Sequence, residues 1–304
     1  MKIGYCCINL SINKNRKKKD FIQVNRGMVR KTFDSKGLDY VSELVILNLK
    51  DTLEILKWNL KNGILVYRLS SDSFPWMTEY EFHNLPKFDK ICEILKEIGD
   101  FAKTNNIRLS LHPPPFVVLG SENPNVVTKS IFELDQHSKI MDLMGLDQTT
   151  YYPINIHVNT TRPTRELATD RFCQNFKLLS NSCQRRLTVE NDDKESQYSV
   201  RILHNLVHSK IGIPIVFDQM HFKFGPQDQS MEDALKLAIS TWKTRPITHM
   251  SSSRKIEDPK SRSTAHADMI YEKIESFGMD FDVEIEAKSK DLAVLDYLNK
   301  YKDA

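Results

Sequence analysis

Residues 187–221 read LTVENDDKESQYSVRILHNLVHSKIGIPIVFDQMH and contain the unit from which we predict the fold. An apolar strand candidate, Leu187–Asn191, opens the stretch, and a second, Pro214–Gln219, closes it. Between them runs an apolar stripe with helical spacings of three and four, at Val200, Leu203 and Val207. A strand, a helix and a second strand in this order form a βαβ unit, which is typical of a parallel sheet.

The same alternation extends along the chain in both directions. Short apolar segments bounded by Gly, Pro or polar residues give eight strand candidates: Lys2–Asn9, Ile64–Ser70, Ile107–His112, Pro153–Val158, Leu187–Asn191, Pro214–Gln219, Ile247–Ser251 and Val283–Ala287. Amphipathic helix patterns separate them. Eight β/α units favour an α/β fold of the (β/α)₈ TIM barrel type, and a doubly wound sheet is the alternative.

Two polar segments interrupt this alternation. We expect residues 1–304 to form a single TIM-barrel domain with insertions at about residues 13–42 and 252–263. Both insertions follow a strand, at the end of a barrel where active sites are built. The pattern Asp51-x-x-Glu54 predicts the start of the first long helix.

The composition bounds the class of protein. Of the 304 residues, 40% are hydrophobic and 27% are charged, which excludes a disordered chain. No run of 18 apolar residues predicts a membrane span, and five scattered cysteines without a C-x-x-C pair suit an intracellular protein that is not secreted. The formal net charge of +3 excludes a histone-like polycation but allows a local basic face.

Histidines and acids collect at the carboxyl ends of the strand candidates. The set comprises His112, His157, Glu190, Asp218, His221, His249, His266 and Glu286. A single histidine or acid at a strand end is more often structural, but eight buried on one rim would be costly without a shared partner. Imidazoles and carboxylates together suit Zn²⁺, Mn²⁺ or Fe²⁺. The pattern predicts two or three ions that share a carboxylate, as in centres for phosphoryl displacement.

Basic and aromatic residues flank the predicted mouth of the barrel. Lys14–Lys19 and Arg254–Arg262 are basic stretches, which are most often solvated surface but could also neutralise phosphates beside a metal cluster. Six aromatic residues could stack on bases or wedge into a duplex, although each alone is more often a packing residue. They are Tyr5, Phe74, Trp76, Phe116, Phe222 and Phe224. Of the remaining histidines, His83 and His137 have no neighbours with ligand spacing, and His204 and His208, four residues apart, are expected at the solvent edge of an outer helix.

Nine motifs appear in order from residue 1 to about residue 295: GYCCINL, YRLSSDSFP, RLSLHPPPFVVLGS, NIHVN, LTVENDD, PIVFDQMHF, TW-x5-THMSSS, STAHADMI and EIEAKSKDLA. Together they resemble the UV damage endonuclease family. The resemblance implies a (β/α)₈ barrel with up to three divalent ions, typically Mn²⁺, with Zn²⁺, Co²⁺ or Mg²⁺ as alternatives. It also implies that damaged double-stranded DNA is cut immediately 5′ to a UV photoproduct, which leaves a 3′-hydroxyl and a 5′-phosphate.

The resemblance also implies roles for single residues. Glu190 would bridge two ions, of which one would be bound by His112 and His157 and the other by Asp218, His249 and Glu286. The third ion would be held by His221 and His266. Glu190, His112 and His249 would carry the catalysis. The residues that it implies near the lesion are Tyr5, Asn9, Pro115 and Phe116, and the basic stretch after the seventh strand adds Lys255 and Arg262 as predicted DNA contacts.

Three positions depart from the family pattern. Pro115 stands where the family has a glutamine that probes the damaged bases, so an altered lesion range is expected. Ile247 replaces a lysine that can serve as a metal ligand, and one ion would then be held more weakly. Asp72 replaces a metal-binding histidine, and its carboxylate suits a hard ion such as Mn²⁺.

Two other functions stay open at the level of sequence. A sugar isomerase or epimerase of the xylose-isomerase type also places Glu, Asp and His around Mn²⁺, but it needs fewer histidines. A damage-binding protein with weak cleavage would fit Pro115 and Ile247. For the leading interpretation, a metal-dependent repair endonuclease, we expect a monomer with damaged duplex DNA as its partner and no membrane association.

Overall fold

Eight short parallel strands form the centre of the protein. The computed structural model describes residues 1–301. Its strands are β1 (Ile3–Cys6), β2 (Val66–Arg68), β3 (Arg108–Ser110), β4 (Ile154–Ile156), β5 (Leu187–Glu190), β6 (Ile215–Val216), β7 (Ile247–Met250) and β8 (Asp282–Ile285). Each lies within one of the eight predicted segments or begins one residue before it. The alternation of apolar strands with amphipathic helices therefore located every strand.

The strands follow one another around a barrel. Five of them pair in the order β3-β2-β1-β8-β7 and three in the order β4-β5-β6. Single parallel bridges join the two sheets, from Leu111 to Ile154 and from Asp218 to His249. The pairing is thus thinnest at the two seams, between β3 and β4 and between β6 and β7. The arrangement is a TIM-barrel-like fold, as predicted, and the doubly wound alternative is wrong.

Helices connect the strands. Their bounds are α1 (Arg30–Lys61), α2 (Phe88–Thr104), α3 (Pro124–Leu143), α4 (Arg165–Phe176), α5 (Asn181–Arg186), α6 (Val200–Leu203), α7 (Ser209–Ile211), α8 (Gln219–Phe224), α9 (Met231–Ser240) and α10 (Asp291–Lys300). A π-helical turn, His204–His208, joins α6 to α7. No helix within residues 1–301 has the length and apolar character needed to cross a lipid bilayer.

Helix α1 corrects two predictions. It begins at Arg30, so the polar segment after β1 ends well before residue 42. Gly37 has φ 60° and kinks the helix, and the buried face starts only at Val41, which explains why the first turns carry no apolar pattern. Asp51 does not start a helix, because it lies in the middle of α1 and accepts a hydrogen bond from the backbone of Gln23 at 2.8 Å.

The interior of the barrel is layered. At the amino-terminal end of the strands, Arg108 and Asp282 are fully buried and joined at 3.1 Å. One layer above them, Val66, Val216 and Ile247 form a small apolar cluster. Each of these three lies two residues before a polar residue of the next layer, on the same face of its strand. The carboxyl ends of the strands therefore carry a polar layer that rests on an apolar one.

Candidate metal centre and the surrounding rim

Glu190 lies at the centre of the mouth, where the carboxyl ends of the strands converge. It ends β5, is 1% exposed, and has imidazole nitrogens on several sides. The distances from its carboxylate oxygens are 3.3 Å to His112 Nε2, 3.6 Å to His157 Nε2, 3.2 Å to His221 Nδ1 and 3.0 Å to His249 Nδ1. The barrel therefore brings four predicted histidines, from the ends of four different strands, onto one predicted carboxylate.

Two groups of side chains have the spacing of metal ligands, and they share Glu190. In each group the potential ligand atoms all lie within 4.8 Å of one another; the groups are His112, His157 and Glu190, and Glu190, Asp218 and His221. Two atoms that are each about 2.1 Å from one ion lie about 3.0–3.4 Å apart, close to the separations found around Glu190. The first group is the one implied by the family resemblance, whereas the second pairs Asp218 with His221 rather than with His249 and Glu286.

Asp218 provides an independent test of whether the site fits an ion. Its Oδ1 atom accepts a hydrogen bond from the backbone of His221 at 2.6 Å and caps α8. Its Oδ2 atom is buried without a hydrogen-bond partner among the described residues. A buried carboxylate oxygen without a partner is costly, and a divalent ion would satisfy it. The donor set therefore fits a metal centre.

The Nδ1 atoms of three histidines lie close to backbone carbonyl groups, and in His221 the same atom also faces Glu190 at 3.2 Å. The distance is 3.1 Å from His112 Nδ1 to the Pro113 carbonyl, 2.9 Å from His221 Nδ1 to the Asn191 carbonyl and 2.7 Å from His266 Nδ1 to the Glu286 carbonyl. In His112, a proton held on Nδ1 leaves the lone pair on Nε2, which faces Glu190 and could bind an ion.

His249, His266 and Glu286 extend the cluster on the side of β7 and β8. Glu286 Oε1 lies 3.5 Å from His249 Nδ1, and Glu286 Oε2 lies 3.7 Å from His266 Nδ1. His266 sits at the end of the loop after β7, where it pairs with Ser253 through an antiparallel bridge. All eight predicted ligands thus lie at the same mouth.

Five polar residues around the cluster escaped the sequence analysis. They are Arg68, Ser110, Asn155, Asp192 and Glu284, which are all buried. Asn155 donates to Glu190, and His157 Nδ1 lies 2.9 Å from Asp192 Oδ1. Strand alternation was the available signal, because Asn155 and Glu284 each precede a predicted ligand by two residues and so face the interior with it.

The histidines determine the charge state of the central carboxylate. Burial alone would raise the pKa of Glu190, but His249 and His157 outweigh it and hold the pKa well below its usual range. Conversely, burial would lower the pKa of His249, but Glu190 raises it to about 10. Glu190 is therefore ionised throughout the physiological range and available to a cation.

The rim of the mouth exposes four of the predicted DNA contacts. Pro115 and Phe116 follow β3, and the Phe116 side chain is 66% exposed. Lys255 and Arg262 are exposed in the loop after β7. This loop is fastened at its base, since Arg254 N donates to the Ala265 carbonyl at 2.7 Å.

Other predicted contacts are covered. Tyr5 is fully buried and donates to Asn59 at 2.7 Å, and it accepts from Asn9, which is 1% exposed. Neither side chain is on the surface, so the arrangement does not support their predicted contact with DNA. Phe74 and Phe222 are also buried, and the Trp76 indole donates to the Met28 carbonyl. Among the six aromatic candidates, only Phe116 is a largely exposed side chain within residues 1–301.

Two of the three positions that depart from the family pattern, Asp72 and Ile247, lie outside the two ligand groups. Asp72 is exposed and belongs to neither ligand group, and its charge helps to raise the pKa of the nearby buried Glu133. The geometry therefore gives no support to Asp72 as a ligand. Ile247 packs in the apolar layer below the cluster, where it offers no donor atom.

Comparisons with known proteins agree on one family. The sequence model of the family described as UV-endonuclease UvdE matches residues 1–304. A UV DNA damage endonuclease of Clostridium perfringens is 29% identical over 312 residues, which cover 100% of this chain and 71% of the relative. A putative UV-damage endonuclease of Acanthamoeba polyphaga mimivirus is 30% identical and covers 100% and 92% of the two chains. A UV DNA damage endonuclease of Bacillus cereus is 33% identical over 86% and 83%.

Solved structures match this chain at two levels of sequence identity. A crystal structure described as SacUVDE matches with a TM-score of 0.86 and 32% identity, over 100% of this chain and 98% of that one. A 3-keto-D-glucoside 4-epimerase from E. coli matches with a TM-score of 0.59 at 8% identity over both whole chains. Identity this low indicates a shared barrel architecture only.

Proposed function

The chain belongs to the UV-endonuclease UvdE family and is a UV DNA damage endonuclease, and we propose that it cuts the DNA backbone immediately 5′ to a UV photoproduct with the help of bound divalent ions. The cut would leave a 3′-hydroxyl and a 5′-phosphate. The observation that carries this proposal is the ionised Glu190, which lies in two candidate ligand groups at once. Ions that share one carboxylate can contact the attacking and the leaving oxygen of an in-line displacement.

We propose that the eight cluster residues hold up to three ions, with Mn²⁺ as the main candidate. Oxygen and imidazole donors suit Mn²⁺, and Zn²⁺, Co²⁺ and Mg²⁺ are the alternatives. When bound, the ions would neutralise the scissile phosphate and make a nucleophilic water available at neutral pH. Glu190 would bridge the His112–His157 and Asp218–His221 groups, and Glu286 with His249 and His266 would complete the set.

The protein's own residues would orient the duplex at this mouth. Phe116 is an exposed aromatic side chain beside His112, and we propose that it wedges into the duplex at the lesion. Pro115 has no amide to hydrogen-bond with a damaged base, so recognition would rest more on the aromatic contact. Lys255 and Arg262 would bind phosphates from the opposite loop.

The test is a nicking assay on a duplex that contains one pyrimidine dimer. Metal-stripped protein to which Mn²⁺ is restored should cut directly 5′ to the dimer. Glu190→Gln should reduce cutting by at least about a hundredfold, because the amide cannot bridge two cations. Glu195→Gln, an exposed position on the loop after β5, is the matched control and should retain activity.

The same assay separates the alternatives. A wild-type protein that binds irradiated DNA in the presence of Mn²⁺ but never cuts it would be a damage-binding protein. The sugar isomerase alternative is supported only by the distant likeness to epimerase barrels. It would regain support only if the protein interconverted sugars and did not nick DNA. We further propose that residues 1–304 act as one domain and as a monomer, which light scattering would test.

A further inference from the structure

Glu284 is a buried carboxylate of β8 that is not among the eight candidate ligands. Its side chain is 1% exposed, yet both oxygens have partners. Arg68 Nε donates to Oε2 at 2.7 Å, and the hydroxyl group of Ser110 donates to Oε1. The remaining neighbour is His249, whose Nε2 lies 3.4 Å from Glu284 Oε2. A carboxylate held this firmly can fix the orientation of a ring that it faces.

The strand register sets up this arrangement. His249 and Glu284 are direct partners in the pairing of β7 with β8, and Arg68 and Ser110 are direct partners in the pairing of β2 with β3. The side chains from these two strand pairs meet inside the barrel. Arg68 also reaches Glu286 Oε1 at 2.5 Å, so one guanidinium spans a carboxylate of β8 and the one directly after it.

The two ring nitrogens of His249 have different surroundings. Nδ1 faces the cluster, at 3.0 Å from Glu190 Oε2. Nε2 faces Glu284 and lies 2.9 Å from Arg68 Nη2. A nitrogen that binds a cation must offer its lone pair, so an ion at Nδ1 requires the ring proton to be on Nε2. A guanidinium has only donors, so the Arg68 contact fits an Nε2 without a proton; when an ion at Nδ1 places the ring proton on Nε2, Glu284 is the nearby group that can accept its hydrogen bond.

We infer that Glu284 is a positioning residue, which holds the Nε2–H of His249 so that Nδ1 is presented to an ion, and that Arg68 and Ser110 hold Glu284 in place. The inference rests on the proposed metal centre. His157 also has a carboxylate on the far side of its ring, because its Nδ1 lies 2.9 Å from Asp192 Oδ1 while its Nε2 faces Glu190. Carboxylates behind metal-binding histidines commonly orient the ring and raise its basicity.

The test is the affinity of metal-stripped protein for Mn²⁺, measured by titration calorimetry. Glu284→Gln should weaken Mn²⁺ binding by about 10–100-fold, because the neutral amide is a poor acceptor for the ring proton. Asp282→Asn is the matched control, since Asp282 is equally buried on β8 and bound to the buried Arg108, but lies at the far end of the barrel. It should lower the melting temperature and leave Mn²⁺ affinity unchanged.

A second variant separates positioning from net charge. Arg68→Lys keeps the positive charge, but one ammonium group cannot reproduce the planar fork that spans Glu284 and Glu286. Positioning predicts about tenfold weaker Mn²⁺ binding and an altered visible spectrum of the Co²⁺-loaded protein. An effect of charge alone predicts wild-type affinity and spectrum. If Glu284→Gln fails to fold, wild-type Mn²⁺ affinity in Arg68→Lys still overturns the positioning role.

The outcomes distinguish this inference from the proposed function. Wild-type protein that binds no Mn²⁺ would overturn the metal-dependent function and this inference with it. Wild-type Mn²⁺ affinity in Glu284→Gln, or in Arg68→Lys when only that variant folds, would overturn the positioning role alone. An equal loss of affinity in Asp282→Asn would also overturn it, because the cause would then be general loosening of β8.

Discussion

His137 shows how a buried residue outside the active site makes stability depend on pH. It is fully buried in α3, where Nδ1 lies 2.9 Å from the Glu133 carbonyl and Nε2 has no partner among the described residues. Burial lowers the pKa of His137 from 6.5 to about 4. Between these values the unfolded chain binds more protons than the folded one, so stability decreases as pH falls from 6.5 towards 4.

We expect His137→Gln to remove this dependence. From pH 7.5 to pH 4.5, the wild type should lose about 2–3 kcal/mol more unfolding free energy than the variant does. Urea unfolding at the two pH values measures the difference. His83→Gln, a change at an exposed histidine, is the control and should behave as the wild type. Parallel pH curves for wild type and His137→Gln would contradict the assignment.

Phe116 supports a prediction about lesion recognition. Because its ring is 66% exposed beside the cluster, Phe116→Ala should remove a stacking contact of about 1–3 kcal/mol. Affinity for dimer-containing duplex should fall about tenfold, with a smaller effect on undamaged duplex, as measured by fluorescence anisotropy. Phe277→Ala, another exposed phenylalanine, should change neither affinity. Equal losses on damaged and undamaged DNA would argue against a wedge.

The sequence pointed to the candidate ligands more completely than to the buried residues that hold them in place. That these eight residues meet at one mouth could be predicted, because histidines and acids at strand ends are few and conspicuous. Strand alternation marks Glu284, which lies two residues before Glu286, but Arg68 precedes no predicted ligand and therefore looks like an exposed charged residue in a short strand. Tyr5 and Asn9 are buried and hydrogen-bonded to Asn59 and to each other, which local sequence cannot reveal, and their contact with DNA stays a prediction.

At the level of elements, Gly99 controls how closely α2 approaches the end of α3. A Cβ atom at this position would lie 1.8 Å from the backbone oxygen of Met144, which cannot move without shifting the helix end. Gly99→Ala should therefore destabilise the protein by about 1–3 kcal/mol, or more if the helices cannot separate. A lower midpoint of urea unfolding would measure this.

The matched change is Gly27→Ala, because a Cβ atom at Gly27 would meet nothing within 4 Å. It should alter the unfolding free energy by less than about 1 kcal/mol. Similar midpoints of urea unfolding for the two variants would mean that α2 and the end of α3 can move apart without a measurable loss of stability.

Element boundaries were predictable only where an apolar pattern reached them. The eight strands were located correctly because each is a short apolar segment with clear breaks. The first half of α1 was missed because its residues before the kink at Gly37 have no buried face. The apparent cap at Asp51 was wrong because its carboxylate serves a tertiary contact with Gln23 and Arg26, at 2.8 Å and 2.7 Å, which local spacing cannot reveal.

On the scale of the whole molecule, the formal net charge of +3 understates the field at the mouth. Several of the carboxylates lie in the cluster, and bound divalent ions would offset them. The basic residues of the rim, by contrast, are exposed to solvent. The loaded protein should then present a positive surface at the end of the barrel where a phosphate backbone would approach.

The salt dependence of DNA binding tests this distribution. A side chain that contacts one phosphate contributes close to one unit to the slope of log K against log salt concentration. Lys255→Ala and Arg262→Ala should each reduce that slope by about 1, on damaged and undamaged duplex alike, because phosphate contacts carry no sequence information. Lys96→Ala is the control, since Lys96 lies on α2 and pairs with Asp100 at 2.5 Å. An unchanged slope in both rim variants would place the phosphate backbone elsewhere on the protein and would remove the loop after β7 from the DNA-binding surface.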